Sequence, residues 1–156
     1  NSKKDGYSFE LPIDWKTKPD AVFNLFAAPA KALQELAVQP NIKVVVRPIR
    51  PGMSLDELCE LSQKQWNGQW KVQSDKRVSV GQADTRRLVL SQDLQKMIES
   101  DPDAAKDAQT KVLKSFAIAG DNYYVISCSD TPQNFAKSEK LFNRVLDSVK
   151  FVKPTF

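Results

Sequence analysis

Three closely spaced acidic residues are the best candidates for binding a metal ion. Glu99, Asp101 and Asp103 lie within one polar stretch, and Asp107 follows them. Carboxylate oxygens are the ligands that hard cations such as Ca²⁺ prefer. The stretch lacks the glycine and the twelfth-position glutamate of a calcium-binding EF-hand loop, which favours a solvated acidic loop instead. We therefore predict no metal site and retain Glu99, Asp101 and Asp103 as candidates.

The residue types needed for most catalytic sites are missing. The chain has no histidine, which excludes His-containing zinc sites, Ser-His-Asp triads and histidine general bases. Gly-Gln-Ala-Asp at residues 81–84 is not a phosphate-binding loop. An enzyme would have to work through carboxylates, lysine or tyrosine alone. We expect no catalytic residue and no cofactor, so the chain is not predicted to be an enzyme.

The chain has two cysteines, Cys59 and Cys128, and they are far apart in the sequence. They do not form a CxxC pattern, so a redox motif is not indicated. The pair is compatible with a Cys59–Cys128 disulfide or with two buried free thiols, and free thiols are the favoured alternative.

Basic clusters in or beside predicted strands are candidates for an interaction face. Adjacent strand residues point to opposite faces, so only one of Arg86 and Arg87 can join such a face. The favoured alternative is that these charges keep sheet edges from pairing with other chains. Trp70 is included because tryptophan is enriched at binding hot spots, although core packing would also explain it. The candidates for this face are Arg47, Arg50, Lys76, Arg77, Arg86 and Trp70.

Length and composition indicate one globular domain over residues 1–156. The chain is 41% hydrophobic and 27% charged, with a net charge of +4 and a pI near 9.0. This mild positive charge allows an acidic partner or an anionic membrane surface but does not require nucleic acid. No apolar run approaches the ~20 residues that span a bilayer. The opening Asn-Ser-Lys-Lys is typical of a trimmed chain, so we expect a targeting segment to have been removed.

Hydrophobic patterning predicts three strands and a helix in the first half. The strands are expected at residues 6–11, 20–28 and 41–49. Ser54 and Glu57 have the spacing of a capping box, which predicts a helix that runs to about residues 65–67. Leu55, Leu58, Cys59, Ser62 and Trp66 share one face of this helix at helical spacing.

The second half predicts four strands and a closing helix. The strands are expected at residues 70–81, 83–92, 111–119 and 123–129. Thr131 is predicted to cap the last helix, with Pro132 at its first position. Residues 151–152 are expected to add a short strand or to pack. The polar stretch at about 95–109 is predicted to be a loop insertion.

The order β-β-β-α-β-β-β-β-α predicts an α+β fold. Consecutive hairpins favour an antiparallel sheet, and two amphipathic helices need a sheet on which to pack. We therefore expect an antiparallel sheet sandwiched between helices.

Several segments of the chain resemble PsbP-like and DcrB-like domains. YSFELPIDW at residues 7–15 resembles the family's opening Y-x-F-x-x-P-x-x-W pattern. The strand NIKVVVRPI, the helix start SLDEL and the close YYVISCSDTPQNFAKSEKLFNRVLDSVKF follow in the family's order. Val149-Lys150-Phe151 stands where the family usually has Ser-Phe. The resemblance spans nearly the whole chain and implies an α/β/α sandwich of the PsbP type.

The resemblance also implies a non-catalytic accessory protein outside the cytoplasm. PsbP-like members lie on the lumenal side of photosystem II, so one implied role is attachment to a membrane protein complex, with photosystem II and oxygen evolution as the most specific case. The implied compartment is the thylakoid lumen or the periplasm, and the protein would be monomeric and peripheral or lipid-anchored. PsbP-like metal sites use histidine in part, which argues against inheriting one here.

A second function is implied by the DcrB-like side of the resemblance, whose members are often lipoproteins. This is a soluble small-ligand or carrier domain, with a pocket between the sheet and a helix or under the 95–109 loop.

Overall fold

The computed structural model describes residues 5–34, 39–66, 68–93, 95, 98, 99 and 110–152. All but three residues of the predicted insertion at 95–109 lie outside these ranges. The elements, in chain order, are β1 (Tyr7–Ser8), β2 (Trp15–Lys18), β3 (Leu25–Pro29), a 3-10 turn (Ala32–Gln34), β4 (Asn41–Pro48), α1 (Leu55–Gln65), β5 (Trp70–Val80), β6 (Ala83–Gln92), β7 (Lys111–Ala119), β8 (Asn122–Asp130), α2 (Pro132–Asp147) and β9 (Lys150–Phe151).

Strand pairing produces one large sheet and one small ribbon. The seven-stranded sheet has the order β2-β3-β4-β8-β7-β6-β5, and β1 pairs with β9. Every pairing is antiparallel. The hairpin of β7 and β8, predicted from the sequence, occupies the centre of the sheet.

The helices α1 and α2 pack on opposite faces of the sheet. Phe116 of β7 belongs to the apolar cluster that contains Leu58 of α1. Its neighbours Leu113 and Ala117 belong to the cluster that contains Phe135 of α2. Because side chains alternate across a strand, one short strand serves both cores. The predicted α/β/α sandwich is confirmed.

The start of α1 follows directly from its sequence. The Ser54 hydroxyl accepts a hydrogen bond from the Glu57 amide at 3.1 Å, and the Ser54 amide donates to the Glu57 carboxylate at 2.8 Å. This is the predicted capping box, which satisfies backbone amides that have no partner within the helix. Leu58 and Cys59 are fully buried on the predicted inner face.

The start of α2 differs from the prediction. Thr131 occupies the cap position, but its side chain makes no capping hydrogen bond. Instead the buried Asp130 accepts from the Thr131 amide at 2.7 Å and from the Ser138 hydroxyl. A carboxylate is favoured here because the helix N-terminus carries a partial positive charge. Pro132 is the first helical residue, as predicted. Within the described ranges, no helix is long and apolar enough to cross a membrane.

The strand predictions were least accurate near the N-terminus. β1 is reduced to two residues, and β2 was not predicted. The expected strand at 20–28 begins only at Leu25, because Asp20 accepts from the amides of Val22 and Phe23 and so forms a turn. The described residues before α1 therefore form four strands rather than the predicted three.

The strand predicted at 70–81 is β5, and it has a register shift between Val72 and Ser74. The strands predicted at 83–92 and 111–119 have the predicted bounds.

A buried arginine ties β6 to α2. The side chain of Arg87 is only 8% exposed. Its guanidinium donates to Asn143 Oδ1 at 2.9 Å and to Asp147 Oδ1 at 2.7 Å. A buried charge is tolerable only with such partners, so these contacts fix the last turns of α2 over the sheet.

The two cysteines are free and buried on opposite faces of the sheet. Cys59 lies in the cluster under α1, and Cys128 lies in the cluster under α2. The Cys59–Cys128 disulfide kept open from the sequence is therefore absent, because the sheet separates the two thiols. Burial raises the pKa of both thiols, that of Cys59 to about 11.

We expect both thiols to resist labelling in the folded protein. At pH 8 an Ellman's assay should be slow without denaturant and should give two free thiols per chain in guanidinium without reductant. The Cys59→Ser variant should give one. Two thiols that appear only after a reductant is added would contradict the assignment.

We expect Asp147→Ala to destabilise the protein by about 1 kcal/mol, because it removes a charged hydrogen-bond partner of the buried Arg87. The loss stays this small because the Asp147 carboxylate is itself partly exposed to solvent. The measurement is urea denaturation, with Glu139→Ala on the same helix as the matched control. Equal losses in the two variants would show that the Arg87 contact contributes nothing specific.

Candidate functional site

The predicted basic face is split by ion pairs. Arg77 and Arg86 both contact Asp56 of α1, and Arg86 Nη1 lies 3.0 Å from Asp56 Oδ1. Arg86 also binds Asp75, and Arg77 binds Asp84 at 2.8 Å. The hydrogen bonds that Arg86 donates to the Asp75 carboxylate raise the pKa of Arg86 further above its ordinary value. These arginines hold α1 to β5 and β6 and are already neutralised.

The remaining predicted candidates lie apart. Arg47 donates to Asn24 Oδ1 at 2.9 Å and to the carbonyl of Val46, so it fixes the chain before β3. Arg50 lines an open groove of about 330 Å³ that also contains Glu57, Glu60 and Lys64 and is therefore of mixed charge.

Lys76 is exposed on the edge strand β5, and Trp70 is half-buried against the cluster under α1. Arg86 and Arg87 point to opposite faces, as strand alternation predicts. The structure does not gather the six candidates into one face.

A different row of side chains crosses the sheet on the α1 side. Lys18 pairs with Phe26, Phe26 with Lys43, Lys43 with Ser127, and Ser127 with Lys114. Directly paired residues stand side by side on one face. We call Lys18, Phe26, Lys43, Ser127 and Lys114 the lysine–aromatic row.

Each lysine of the row lies over an aromatic ring. The Lys18 ammonium is 4.8 Å from the centre of the Phe26 ring. That of Lys43 is 4.9 Å from Phe23, and that of Lys114 is 5.1 Å from Trp66. Such contacts are worth about 0.5–1 kcal/mol at exposed sites, so they hold the lysine stems in place without cancelling the charge.

The positive charge of this part of the sheet is only partly neutralised. Strands β2, β3 and β4 contain Lys16, Lys18, Lys43 and Arg47 but no aspartate or glutamate. Among the described residues, none of the row's lysines is in a salt bridge. Asp20 acts on Lys18 and Lys43 without a direct ion pair, and the Val22 and Phe23 amides lower the pKa of Asp20 and so keep it charged.

The row offers charge and aromatic surface rather than a nucleophile. Ser127 stands beside Lys114, which would suit a serine–lysine pair. The Lys114 ammonium instead lies over Trp66. Ser127 and Lys114, both among the described residues, make no hydrogen bond to each other.

No metal cluster is formed within the described ranges. Glu99 is exposed, while Asp101 and Asp103 lie outside the described residues, so these three remain sequence-based candidates. The cavity between the sheet and α2 is about 10 Å³, which is room for about one water molecule, so it is not a ligand pocket.

Sequence reasoning missed the lysine–aromatic row because its members come from separate segments. The alternation Trp15-Lys16-Thr17-Lys18 is the one local signal of an exposed lysine edge. The neighbourhood of Lys43 and Lys114 depends on the pairing of β4 with β8, which spans some 80 residues of chain.

Solved structures of low sequence identity share this fold. Cyanobacterial PsbP (CyanoP) from Synechocystis sp. PCC 6803 is similar with a TM-score of 0.67 and 12% identity, covering 95% of this chain and 88% of the other. LpqN of Mycobacterium tuberculosis, which is involved in cell envelope biogenesis, is similar with a TM-score of 0.66 and 7% identity, covering 94% and 83%. At these identities the likeness shows the fold alone.

A third structure, the protein of unknown function PA94 from Pseudomonas aeruginosa, is similar with a TM-score of 0.58 and 7% identity, covering 94% and 86%. A search of curated proteins by sequence finds no match. The model of the PsbP family matches residues 1–151, which is nearly the whole chain. The chain therefore belongs to the PsbP family.

Proposed function

We propose that the protein is a non-catalytic accessory protein that attaches to a membrane protein complex outside the cytoplasm. The observation that carries the proposal is a cationic end of the sheet, whose strands β2, β3 and β4 contain no acidic residue, in a member of the PsbP family. In its most specific form the partner is photosystem II, the process is oxygen evolution, and the compartment is the thylakoid lumen. The periplasm is the corresponding compartment for a partner of another kind.

The edge strand β2 is the surface on which we expect the partner to bind. Lys16 and Lys18 are exposed there, and β2 is the last strand on that side of the sheet among the residues that the structure describes. Exposed charges on an edge strand also prevent uncontrolled pairing with other sheets. Complementary charges mainly speed up and orient association, so an acidic partner surface would be found quickly at low salt and poorly at high salt.

The proposed attachment is peripheral or through a lipid anchor, and the protein acts as a monomer. Both edges of the sheet, β2 and β5, are rich in charged residues, which disfavours association of two sheets through their edges. A net charge of +4 is too small to propose nucleic acid as the partner.

We expect charge reversal on β2 to abolish recovery of the partner complex. The tagged protein and its Lys16→Glu/Lys18→Glu variant would be used in pull-downs from solubilised source membranes at low and high salt, read by mass spectrometry. The wild type should recover one complex at low salt and lose it at high salt, because the contact is electrostatic. The β2 variant should fail to recover it even at low salt.

The matched control is Lys137→Glu/Lys140→Glu, which makes the same charge change at exposed positions of α2. It should recover the complex as the wild type does. Equal recovery by all three proteins at both salt concentrations would refute the β2 surface. An empty pull-down by the wild type would refute attachment to a complex and favour the small-ligand carrier. A complex without photosystem II subunits would refute only the most specific form.

A further inference from the structure

The α1 side of the sheet is only partly covered by α1. This helix packs over β6 and β7, and its C-terminal Trp66 reaches Lys114. At its margin and beyond it, Lys43, Val45, Lys114, Val125 and Ser127 on β4, β8 and β7 are all half-buried, and Val125 also packs against the cluster under α1. We call these five residues the sheet trough.

The trough has an apolar floor between two cations. Val45 and Val125 are paired directly across β4 and β8 and lie two residues from Lys43 and Ser127, so they share their face. Lys43 and Lys114 stand on either side of Ser127, about 10 Å apart by the spacing of two strand intervals. Their ammonium groups rest on Phe23 and Trp66, which places aromatic rings at both sides of the trough.

Lys43 and Lys114 differ from the arginines of the sheet in their charge pairing. Arg77, Arg86 and Arg87, which also point from the sheet towards a helix, each bind at least one aspartate. Within the described ranges, neither Lys43 nor Lys114 forms such a pair. Burial lowers the pKa of Lys114, and the positive charge of Lys43 lowers it further. Two like charges are thus held together in a recess, where a counter-charge would relieve their repulsion.

We propose that the sheet trough is a binding site for a small organic anion with an apolar body, of the carboxylate class. The anionic head would lie over Ser127 and accept from its hydroxyl, and the Lys43 and Lys114 ammonium groups would turn towards it from Phe23 and Trp66. The apolar body would lie on Val45 and Val125. The ligand needs both an anionic head and an apolar body, since the described part of the trough combines two lysines that have no ion-pair partner with two valines. This site does not depend on attachment to a membrane complex, so it goes beyond the proposed function.

Lys114 should be dispensable for folding if its role is to bind a ligand. We expect Lys114→Met to be at least as stable as the wild type at pH 7, because burial disfavours the charged form. The pKa of Lys114 is lower in the folded protein than in the unfolded chain, so the unfolded chain holds the proton more tightly. The stability of the wild type should therefore increase as the pH rises from the folded-state pKa towards the ordinary value of 10.5. The difference between the two proteins in urea denaturation should therefore shrink from pH 7 to pH 10. A loss of stability at pH 7 larger than the lost contact with Trp66 accounts for would show that Lys114 has a carboxylate partner and would overturn the proposal.

The direct test is calorimetric titration of the whole protein with octanoate at pH 7.5. Sodium sulfate supplies charge without an apolar body, and octyl glucoside supplies an apolar body without charge. We expect octanoate to bind and to raise the melting temperature, since a ligand of the native state stabilises it by mass action. The Lys43→Gln/Lys114→Gln variant should bind octanoate at least about tenfold more weakly, having lost two charge-assisted contacts.

The control variant Lys76→Gln/Lys137→Gln also removes two lysine charges, at exposed positions away from the trough. It should bind octanoate as the wild type does. Equal binding of octyl glucoside or sulfate would overturn the proposed ligand class, and equal weakening in both variants would overturn the proposed site. No binding of octanoate would overturn the proposal as a whole, whereas the β2 pull-down could still succeed.

Discussion

Burial of the two central strands on both faces is the constraint on which the rest of the structure depends. β7 and β8 lie in the middle of seven strands, so their buried apolar residues face one of two cores. A strand covered on both faces needs a helix or an equivalent cover on each. This requirement decides on which side every side chain lies, including the adjacent Arg86 and Arg87, which bind different helices.

The same constraint explains how charge is distributed over the sheet. α1 meets β5, β6 and β7, and there the arginines are paired with Asp56, Asp75 and Asp84. The other part of that face has no described helix above it, and its lysines rest on aromatic rings instead of carboxylates. At the β5 end of the sheet, ion pairs between arginines and aspartates therefore stabilise the structure. At the β2 end, lysines present positive charge to the solvent. Both proposals concern the second end, although they use different lysines.

Local chemistry predicted much of the fold, and pairing across distant segments could not be predicted. The capping box at Ser54 gave the start of α1, and alternation gave β6 its bounds, because both signals lie within a few residues. β2 was missed because it has one apolar residue, Trp15, and is held mainly by its pairing with β3. The cap of α2 was assigned to Thr131 because residue type alone does not reveal that the preceding Asp130 reaches the helix start. The lysine–aromatic row needed the full strand order, which no short stretch of sequence contains.

The ribbon of β1 and β9 has a mechanical consequence. Tyr7 pairs with Phe151 and the amide of Val152 donates to the carbonyl of Gly6 at 2.8 Å, so the two strands run antiparallel and the chain leaves both at the same end. Gly6 permits this approach, because a Cβ there would meet the Val152 carbonyl at 2.9 Å and φ is +73°. A force that pulled the two ends apart would open the ribbon one hydrogen bond at a time, as in unzipping. Tension would be released at this short ribbon before it loaded the long strands of the sheet, which would remain folded around their cores.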